Sequence, residues 1–424
     1  MKKGIPFLRV LLLMWFCNTA IAHSPDPFFL QHYDNRNGLS NSSINHIYKD
    51  AGNLLWVATW DGLNMYDGSI FHVFNYSREN DSKSIGSNVI QQVTEEAVLN
   101  LAREAKRLTG SDNLCMAGGV SLNCVANGKL DEAKIFKNIF ITPAAGDAGG
   151  ALGAALAAYH IYYEQPRKEL NGKLDNLSGS YLGPEYSSLE VETLMRKYNA
   201  EADEYKDESS LAEQVAQLIA EGAVIGWHQG RMEFGPRALG ARSIIADARN
   251  STMQKKLNLK IKYREGFRPF APIVLAEDVS EYFNHDEPSP YMLIVKPVKN
   301  ARQIPYPTDY KENGLLDKLY FLRSDIPAVT HIDYSARLQT VHKETNGRLW
   351  NLLNTFKKLT GYSVLVNTSF NVRGEPIVNT PEDAYRCFMR TDMDYLVVGN
   401  FIFDKKKQPK WEETQDWRSE FVLD

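Results

Sequence analysis

Cysteine is scarce in this sequence, and the few cysteines have no functional spacing. Four occur in 424 residues, namely Cys17, Cys115, Cys124 and Cys387, and no two of them form a CxxC pair. Structural zinc sites and thioredoxin-type redox motifs are built from such pairs. Cys17 lies in an N-terminal leader, which leaves an odd and sparse set. The sequence therefore predicts reduced thiols rather than a disulfide framework.

An excess of charge and long hydrophobic runs are also absent. The 48 basic and 52 acidic side chains give a net charge of -4, so the chain as a whole has no attraction for nucleic acid or for an anionic membrane. Beyond the leader no hydrophobic run reaches transmembrane length. We expect neither nucleic acid nor membrane as a partner of the mature chain. A phosphate site would have to come from a local cluster of arginines.

The N-terminus has the three parts of a secretory leader. Two lysines and Arg9 form a basic start, residues 10–16 are apolar, and residues 20–22 read Ala-Ile-Ala, a small-x-small cleavage site. This pattern predicts a signal peptide over residues 1–22. The apolar run is too short to span a bilayer as a mature helix.

Residues 23–93 alternate short strand-like runs with glycine turns. The runs and turns follow in the order 44–48, Gly52-Asn53, 54–59, Asp61-Gly62 and Asp67-Gly68. This alternation predicts successive β-hairpins. The segment resembles the opening repeat of the periplasmic propeller sensors of hybrid two-component regulators. Since a closed propeller needs several blades, one repeat predicts a small β-appendage.

Two strand–glycine–helix units follow a helix that is predicted to begin at Thr94. Residues 113–116 form a predicted strand that leads into Ala-Gly-Gly-Val, and residues 138–142 form another that leads into Pro-Ala-Ala-Gly-Asp-Ala-Gly-Gly. A helix of small residues is predicted over residues 151–164. Glycine lets backbone amides approach a phosphate, and a helix N-terminus favours an anion. These units are candidate nucleotide contacts, with an ordinary turn as the alternative.

The runs AGGVSLNCVANGKL and PAAGDAGGALGAAL resemble the second half of the Kae1-like domain of ATP-dependent O-carbamoyltransferases, an actin-like ATPase relative. The resemblance implies a divalent metal, iron in the family, at Asp147. The family takes two histidines from an HxxxH motif, and this sequence contains no HxxxH. We therefore predict a partial Kae1-like domain over residues 94–165, in which Asp147 lacks a complete metal shell. The resemblance implies ATP binding by Gly118, Gly119, Asn123 and Asn127.

The remaining residues resemble the C-terminal part of the same family. A polar linker is predicted over residues 166–185, and residues 186–424 resemble the YrdC-like domain. The motifs are Gly-Arg-Met-Glu-Phe-Gly-Pro-Arg-Ala-Leu-Gly from Gly230, Lys-Tyr-Arg-Glu from Lys262 and Asn-Thr-Ser-Phe-Asn from Asn367. The predicted fold class is α/β: a partial actin-like unit, then a YrdC-like domain with a twisted sheet, and the β-appendage at the N-terminus.

Arginines in these motifs suit a phosphorylated ligand. Guanidinium is permanently charged and binds phosphate through two parallel donors. Any single arginine could instead form a surface ion pair, and His331 with Asp333 could be structural. Asn367 and Ser369 share one strand face and are candidate donors to a carbamoyl group. The resemblance implies catalytic roles for Arg237, Arg268 and Arg337, and substrate binding by Asn367, Ser369, Arg231, Arg264 and His331.

The family chemistry has two stages. Carbamoyl phosphate and ATP give carbamoyl-adenylate, and a hydroxyl of a small molecule or sugar then accepts the carbamoyl group. Three hypotheses remain: a carbamoyltransferase, a degenerate chimeric fragment that binds carbamoyl phosphate or nucleotide without transfer, and an exported sensor-like protein. The leader indicates export, whereas ATP and carbamoyl phosphate indicate the cytoplasm, so the sequence leaves localisation open. It also leaves open the acceptor and the oligomeric state.

Overall fold

The computed structural model describes residues 38–39, 44–49, 54–59, 62–74, 87–171, 173–264, 266, 268–307, 310, 314–411, 413 and 420. The chain divides into two compact units, Met1–Val93 and Thr94–Asp424. The predicted signal peptide lies outside the described residues.

The first unit contains a four-stranded antiparallel sheet. Its strands are paired in chain order, β1-β2-β3-β4, which confirms the predicted hairpins. The Asp67 carboxylate accepts the backbone N–H groups of Ser69 and Ile70 and closes the turn before the last strand. The Ser69 hydroxyl also donates to this carboxylate. That bond first, and then the backbone bonds, hold the pKa of Asp67 well below its usual range. The strands are β1 (Ile44–Lys49), β2 (Leu55–Thr59), β3 (Gly62–Tyr66) and β4 (Phe71–Phe74).

The second unit begins with a small α/β part. Its two parallel strands are β5 (Asn113–Met116) and β6 (Asn138–Ile141). Its helices are α1 (Ser87–Thr109), α2 (Cys124–Glu132) and α3 (Gly149–Ala157), the last continued by a π-helical turn, Ala158–Tyr162.

Helix α1 begins earlier than predicted. Thr94 was expected to cap its N-terminus, but the helix starts at Ser87 and Thr94 lies inside it. The apolar spacing of Ile90, Val93 and Ala97 extends the helical pattern upstream. Thr94 therefore does not begin the helix, because the helical spacing of apolar residues continues on both sides of it.

A mixed nine-stranded sheet organises the rest of the second unit. The strand order is β11-β12-β10-β13-β9-β8-β14-β15-β7, and the pairs β10–β12 and β8–β14 are parallel. The strands are β7 (Asp203–Glu204), β8 (Ile225–His228), β9 (Arg242–Asp247), β10 (Ala271–Leu275), β11 (Ile294–Pro297), β12 (Ser335–Val341), β13 (Val364–Ser369), β14 (Tyr395–Val398) and β15 (Phe401–Asp404).

Helices cover both faces of this sheet. Neighbouring strand residues enter different cores: Ile244 packs in one and Ile245 in the other, because side chains alternate across a strand. This layered arrangement confirms the α/β class. The helices are α4 (Ser188–Tyr198), α5 (Glu208–Ala220), α6 (Met253–Lys260), α7 (Val279–Tyr282), α8 (Leu315–Tyr320), α9 (Gly347–Thr360) and α10 (Pro381–Arg390).

Close backbone packing joins the small α/β part to the large sheet. A Cβ on Gly128 of α2 would lie 2.5 Å from the Val295 carbonyl oxygen on β11. Beside this contact the buried Lys296 pairs with Asp131 at 2.5 Å. A larger residue at Gly128 would push α2 off the sheet. Among the described helices, none combines the length and the apolar character that a membrane crossing requires.

Candidate functional site

The loop between β8 and β9 carries the longest motif of the sequence, and a buried carboxylate fixes its shape. Glu233 Oε1 accepts the backbone N–H groups of Leu239 at 2.7 Å, Ala241 at 2.7 Å and Arg242 at 3.2 Å. One oxygen thus gathers three amides at the start of β9. We call residues 230–242 the arginine loop.

The two predicted glycine turns contact each other and the arginine loop. The Gly118 N–H donates to the Ala145 carbonyl at 2.8 Å, which joins the loop after β5 to the loop after β6. Gly235 has φ +144°, and a Cβ there would lie 2.9 Å from the Pro143 carbonyl oxygen. Glycine is required at Gly235 because the two backbones approach so closely. Three loops therefore meet at one place.

Three arginines lie within electrostatic reach of one another at this junction. Arg237 Nη2 donates to the Leu122 carbonyl oxygen at 3.3 Å. Arg337, on β12, contacts the Cys124 thiol at the start of α2. Burial lowers the pKa of Arg337 to about 10, and the charges of Arg237 and then Arg264 add to this effect. Like charges gathered in a half-buried place cost stability unless an anion balances them. We call Arg237, Arg264 and Arg337 the arginine cluster.

Several buried polar atoms around the cluster are unpaired. Within the part of the chain that the structure describes, Arg237 Nε, Arg337 Nε, Glu233 Oε2 and Asn367 Oδ1 are buried without a hydrogen-bond partner. Buried polar groups are hydrogen-bonded in the great majority of cases, and exceptions mark functional positions or bound molecules. Donors and acceptors are both left over, so the site suits a ligand with anionic oxygens and N–H groups.

Asn367 lies beneath the arginine loop and presents an acceptor. Its Nδ2 donates to the Ala238 carbonyl at 2.9 Å and to Gln339 Oε1 at 2.8 Å. Gln339 in turn donates to the Leu239 carbonyl at 2.7 Å. The sequence predicted Asn367 as a donor to a carbamoyl group. In the structure both neighbours accept from Nδ2, and Oδ1 has no partner within the described residues, so the ligand role of Asn367 stays a prediction.

Ser369 belongs to a second polar group, centred on Lys262. The buried Lys262 Nζ contacts the Ser369 carbonyl, and it lies 3.2 Å from Ser369 Oγ and 2.8 Å from each of Asn371 O and Oδ1. Burial lowers the pKa of Lys262 to about 7, and the Arg264 charge contributes. Lys262 was not among the predicted site residues. Its position two residues before Arg264 in the Lys-Tyr-Arg-Glu motif was the signal.

Two predicted site residues, Arg268 and Arg231, have other surroundings. Arg268 is exposed, and its backbone carbonyl accepts N–H groups from Gln254 and Asn258. The exposed Arg231 donates from Nη2 to the Leu182 carbonyl at 3.1 Å. The described contacts do not place these two guanidinium groups in the arginine cluster, so their ligand roles stay predictions.

His331 closes a local turn. Its Nδ1 lies 3.2 Å from Asp333 Oδ1, and the same oxygen accepts the N–H and the hydroxyl of Ser335. The His331 and Ser335 bonds hold the pKa of Asp333 well below its usual range. These contacts support the structural alternative for His331.

The residues predicted to bind nucleotide divide into exposed and structural ones. Gly118, at φ +97°, and Gly119 are exposed, and a Cβ at either would meet nothing within 4 Å. Asn123 caps α2 through its side-chain oxygen. Asn127 is buried and donates to the Leu293 carbonyl at 2.9 Å, which ties α2 to the entry of β11. Gly119 keeps an open approach to its backbone, whereas the Gly118 N–H already donates to the Ala145 carbonyl.

The described residues do not fit the metal that the resemblance implies. Asp147 is exposed in the loop after β6. Within residues that the structure describes, no group of three or more His, Cys, Asp or Glu side chains is placed to hold a metal ion. A single carboxylate is too few ligands for a catalytic iron or zinc.

The fold and the cluster define an α/β protein with a group of positively charged side chains at the junction of three loops. Comparison with family models gives the particular family. The model described as "Carbamoyltransferase N-terminus" matches residues 39–156, and that described as "Carbamoyltransferase C-terminus" matches residues 216–405. The chain belongs to the carbamoyltransferase family.

Relatives are similar over most of this chain. An uncharacterized protein of Synechocystis sp. is 57% identical over 79% of this chain and 54% of its own length. Nodulation protein NolNO of Sinorhizobium fredii is 40% identical over 77% of this chain and 44% of its own length. The 3'-hydroxymethylcephem-O-carbamoyltransferase of Streptomyces clavuligerus is 31% identical over 79% of this chain and 56% of its own length. The chain thus spans about half the length of the curated relatives it matches.

Among solved structures, full-length HypF in its phosphate- and nucleotide-bound form is similar at a TM-score of 0.31. The identity is 15%, over 47% of this chain and 22% of HypF. A likeness this weak carries no argument.

The propeller interpretation of the first unit is not supported. The N-terminal family model matches from residue 39, well before the predicted start of the Kae1-like part at residue 94, and so takes in the four-stranded sheet. Hairpins with Asp-Gly and Gly-Asn turns occur in many β structures. The turn pattern predicted the strands correctly but does not identify a propeller.

Proposed function

We propose that this chain binds carbamoyl phosphate and ATP at the arginine cluster and forms carbamoyl-adenylate, the first stage of O-carbamoyl transfer to a small hydroxyl acceptor. The observation that carries the proposal is the gathering of Arg237, Arg264 and Arg337, with the buried Nε atoms of Arg237 and Arg337 left unpaired within the described residues. Membership of the carbamoyltransferase family supports the choice of ligand.

The chemistry needs charge neutralisation and positioning. Water cleaves carbamoyl phosphate to carbamate and phosphate; a carbamate oxygen then attacks the α-phosphorus of ATP, and pyrophosphate leaves. Negative charge accumulates on phosphoryl oxygens in both steps. Fixed guanidinium groups in a half-buried place stabilise such charge without reorganisation.

Each polar atom left over at the site has a complement on the ligands. The Nε donors of Arg237 and Arg337 suit phosphoryl oxygens, since charge-assisted hydrogen bonds are short and strong. Asn367 Oδ1 suits the N–H₂ group of a carbamoyl moiety. The backbone amide of Gly119, at an exposed position in the loop after β5, suits a phosphate of ATP. Contact between the three loops would hold both ligands side by side.

A second candidate is binding and adenylate formation without transfer. It is favoured by Asp147, which has no companion ligands within the described residues. On this alternative the arginine cluster is active, while the acceptor side depends on residues outside the described part.

Pyrophosphate release tests the proposal. The full chain is incubated with ATP in the presence and absence of carbamoyl phosphate, alongside Arg337→Ala and the control Arg196→Ala. Arg196 is an exposed arginine on α4 that pairs with Glu192 at 3.8 Å. We expect release that requires carbamoyl phosphate, falls about 100-fold in Arg337→Ala and is unchanged in Arg196→Ala. Release that ignores carbamoyl phosphate, or equal rates in the two variants, would contradict the proposal.

A further inference from the structure

The segment predicted as a polar linker runs alongside the arginine loop in its last residues. The Phe234 N–H donates to the Ser180 carbonyl at 2.7 Å, and Ser180 Oγ donates to the Phe234 carbonyl at 2.6 Å. Four residues of chain further along, the Gly183 N–H donates to the Met232 carbonyl at 2.9 Å. The two stretches are therefore paired through their backbones. We call residues 180–184 the bracing segment.

The backbone of the bracing segment fits the arginine loop closely. The Met232 N–H donates to the Pro184 carbonyl at 2.9 Å. A Cβ on Gly183 would lie 2.9 Å from the Met232 carbonyl oxygen, so the approach requires glycine. The buried Ser180 has φ +69°. A residue other than glycine keeps this left-handed backbone only where its surroundings hold it, and the two hydrogen bonds to Phe234 do so.

Tyr181 connects the bracing segment to the far end of the arginine loop. Its hydroxyl donates to the Leu239 carbonyl at 2.8 Å and accepts from Asn346 Nδ2 at 2.9 Å. Burial raises the pKa of Tyr181, and the charge of Glu233 adds to this effect, so the hydroxyl keeps its proton and remains a donor. The Leu239 N–H donates to Glu233 Oε1. Both polar backbone groups of Leu239 are thus held in place.

These contacts lie on both sides of one arginine of the cluster. Phe234 precedes Arg237 by three residues, and Leu239 follows it by two. A loop that is anchored at both points is ordered before a ligand arrives, and such preorganisation lowers the free-energy cost of binding. Without the anchor at Leu239, the ligand itself would have to order the loop.

We propose that the bracing segment positions the arginine loop for ligand binding, and that Tyr181 is a positioning residue for Arg237. The segment acts through the backbone of the loop and does not contact the ligand. The inference rests on the proposed function, because it names the residues that prepare the same site. It predicts a change in affinity rather than in the chemical step, since the loop is ordered in the bound state with or without the Tyr181 hydroxyl.

The test compares Tyr181→Phe with Tyr385→Phe in the full chain. Tyr385 is a buried tyrosine of α10 whose hydroxyl donates to Gln408 Oε1 at 3.1 Å, so each variant removes one hydrogen-bonded hydroxyl. Pyrophosphate release gives KM for carbamoyl phosphate and kcat, and hydrogen exchange without ligand gives the protection of residues 234–241. Ser180→Ala, which removes the bond from Oγ to the Phe234 carbonyl, is a second variant, and it decides the question if Tyr181→Phe does not fold.

We expect Tyr181→Phe to raise KM for carbamoyl phosphate about 10-fold, to change kcat less than about twofold and to accelerate exchange in residues 234–241. Ser180→Ala should act in the same direction, and Tyr385→Phe should alter neither KM nor exchange in the loop. Equal KM values in Tyr181→Phe and Tyr385→Phe, or loop exchange in Tyr181→Phe as slow as in the wild type, would overturn the proposal. A wild type without pyrophosphate release contradicts the proposed function instead, and the exchange comparison still decides whether Tyr181 orders the loop.

Discussion

The arginines Arg242 and Arg337 have different surroundings. Arg242 is fully buried, and it donates to the carbonyl oxygens of Gln229, Gly230 and Asn379, so its guanidinium braces the arginine loop from inside. Burial lowers its pKa to about 10. Arg337 has a pKa lowered to a similar value by burial, but its nearest charges are other arginines. The contrast separates Arg242, which is paired within the loop, from Arg337, which we propose as a ligand contact.

Replacing Arg337 should change stability and ligand binding in opposite directions. In Arg337→Leu the repulsion from Arg237 and the burial of an unbalanced charge are removed. We expect the free energy of unfolding, measured with urea in phosphate-free buffer, to rise by about 1–2 kcal/mol. Carbamoyl phosphate binding, followed by calorimetry, should fall at least about 10-fold. A destabilised variant would show that the guanidinium is paired and structural.

Lys262 should give the protein a characteristic pH dependence. Its pKa is lowered by burial from 10.5 to about 7. Between these values the unfolded chain keeps a proton that the folded chain has released. The free energy of unfolding contributed by Lys262 therefore increases as pH rises from 7 towards 10, by at most about 1.4 kcal/mol per pH unit, and is flat below 6.

The check is denaturant unfolding of the wild type and Lys262→Met at pH 6, 7.5 and 9. The stability of the wild type relative to the variant should rise between the last two values. Parallel profiles would mean that the oxygens of Ser369 and Asn371 keep Lys262 protonated throughout.

At the scale of elements, the start of α3 depends on one glycine. A Cβ on Gly149 would lie 2.1 Å from the Ala144 carbonyl oxygen, whereas a Cβ on Gly153, one turn further along, would meet nothing within 4 Å. Gly149→Ala must therefore displace the loop after β6, while Gly153→Ala only improves helix propensity, by about 0.8–1 kcal/mol. We expect Gly149→Ala to lower both thermal stability and carbamoyl phosphate affinity, and Gly153→Ala to lower neither. Equal behaviour would mean that the loop does not shape the site.

Local patterns predicted the elements well and the site only in part. The strand predicted at residues 113–116 is found there, and the strand predicted at residues 138–142 runs from Asn138 to Ile141. The predicted donor role of Asn367 stays a prediction, although Ala238 and Gln339 already accept from its amide, and neither contact is local in sequence. Lys262 was missed because its contacts are also distant in sequence. Residue type and spacing predict which groups are available, whereas long-range hydrogen bonds decide which remain free.

The sequence also could not predict which of the candidate arginines are buried and which are exposed. Arg237 and Arg268 have equal standing as motif residues, yet Arg237 reaches the loop after β5 while Arg268 is exposed. Burial depends on how three separate loops pack, and no periodicity within one motif encodes that. The catalytic role of Arg268 stays a prediction until the activity of a variant at this position is measured.

At the scale of the whole molecule, the three residues of the arginine cluster lie in one of the two compact units. Every described hydrogen bond of the arginine cluster closes within Thr94–Asp424, from the Leu122 carbonyl to Asn258, which accepts Arg264 Nε at 2.7 Å. A chain that begins at residue 87 keeps helix α1 whole, and it also keeps all three arginines and both glycine turns. We therefore expect it to fold, and to bind carbamoyl phosphate with an affinity within about twofold of the full chain, by calorimetry.

The comparison should be made on both chains at one salt concentration, because removing the charged residues among 1–86 changes the long-range attraction for an anion. The same truncation carrying Arg337→Leu is the control for nonspecific binding. A loss of affinity of 10-fold or more in a truncated chain that still unfolds cooperatively would show that the four-stranded segment forms part of the site. That outcome would agree with the family model that matches from residue 39. Retained affinity would instead assign the anion site to the second unit alone, and would leave the four-stranded sheet to act on the acceptor or on a partner.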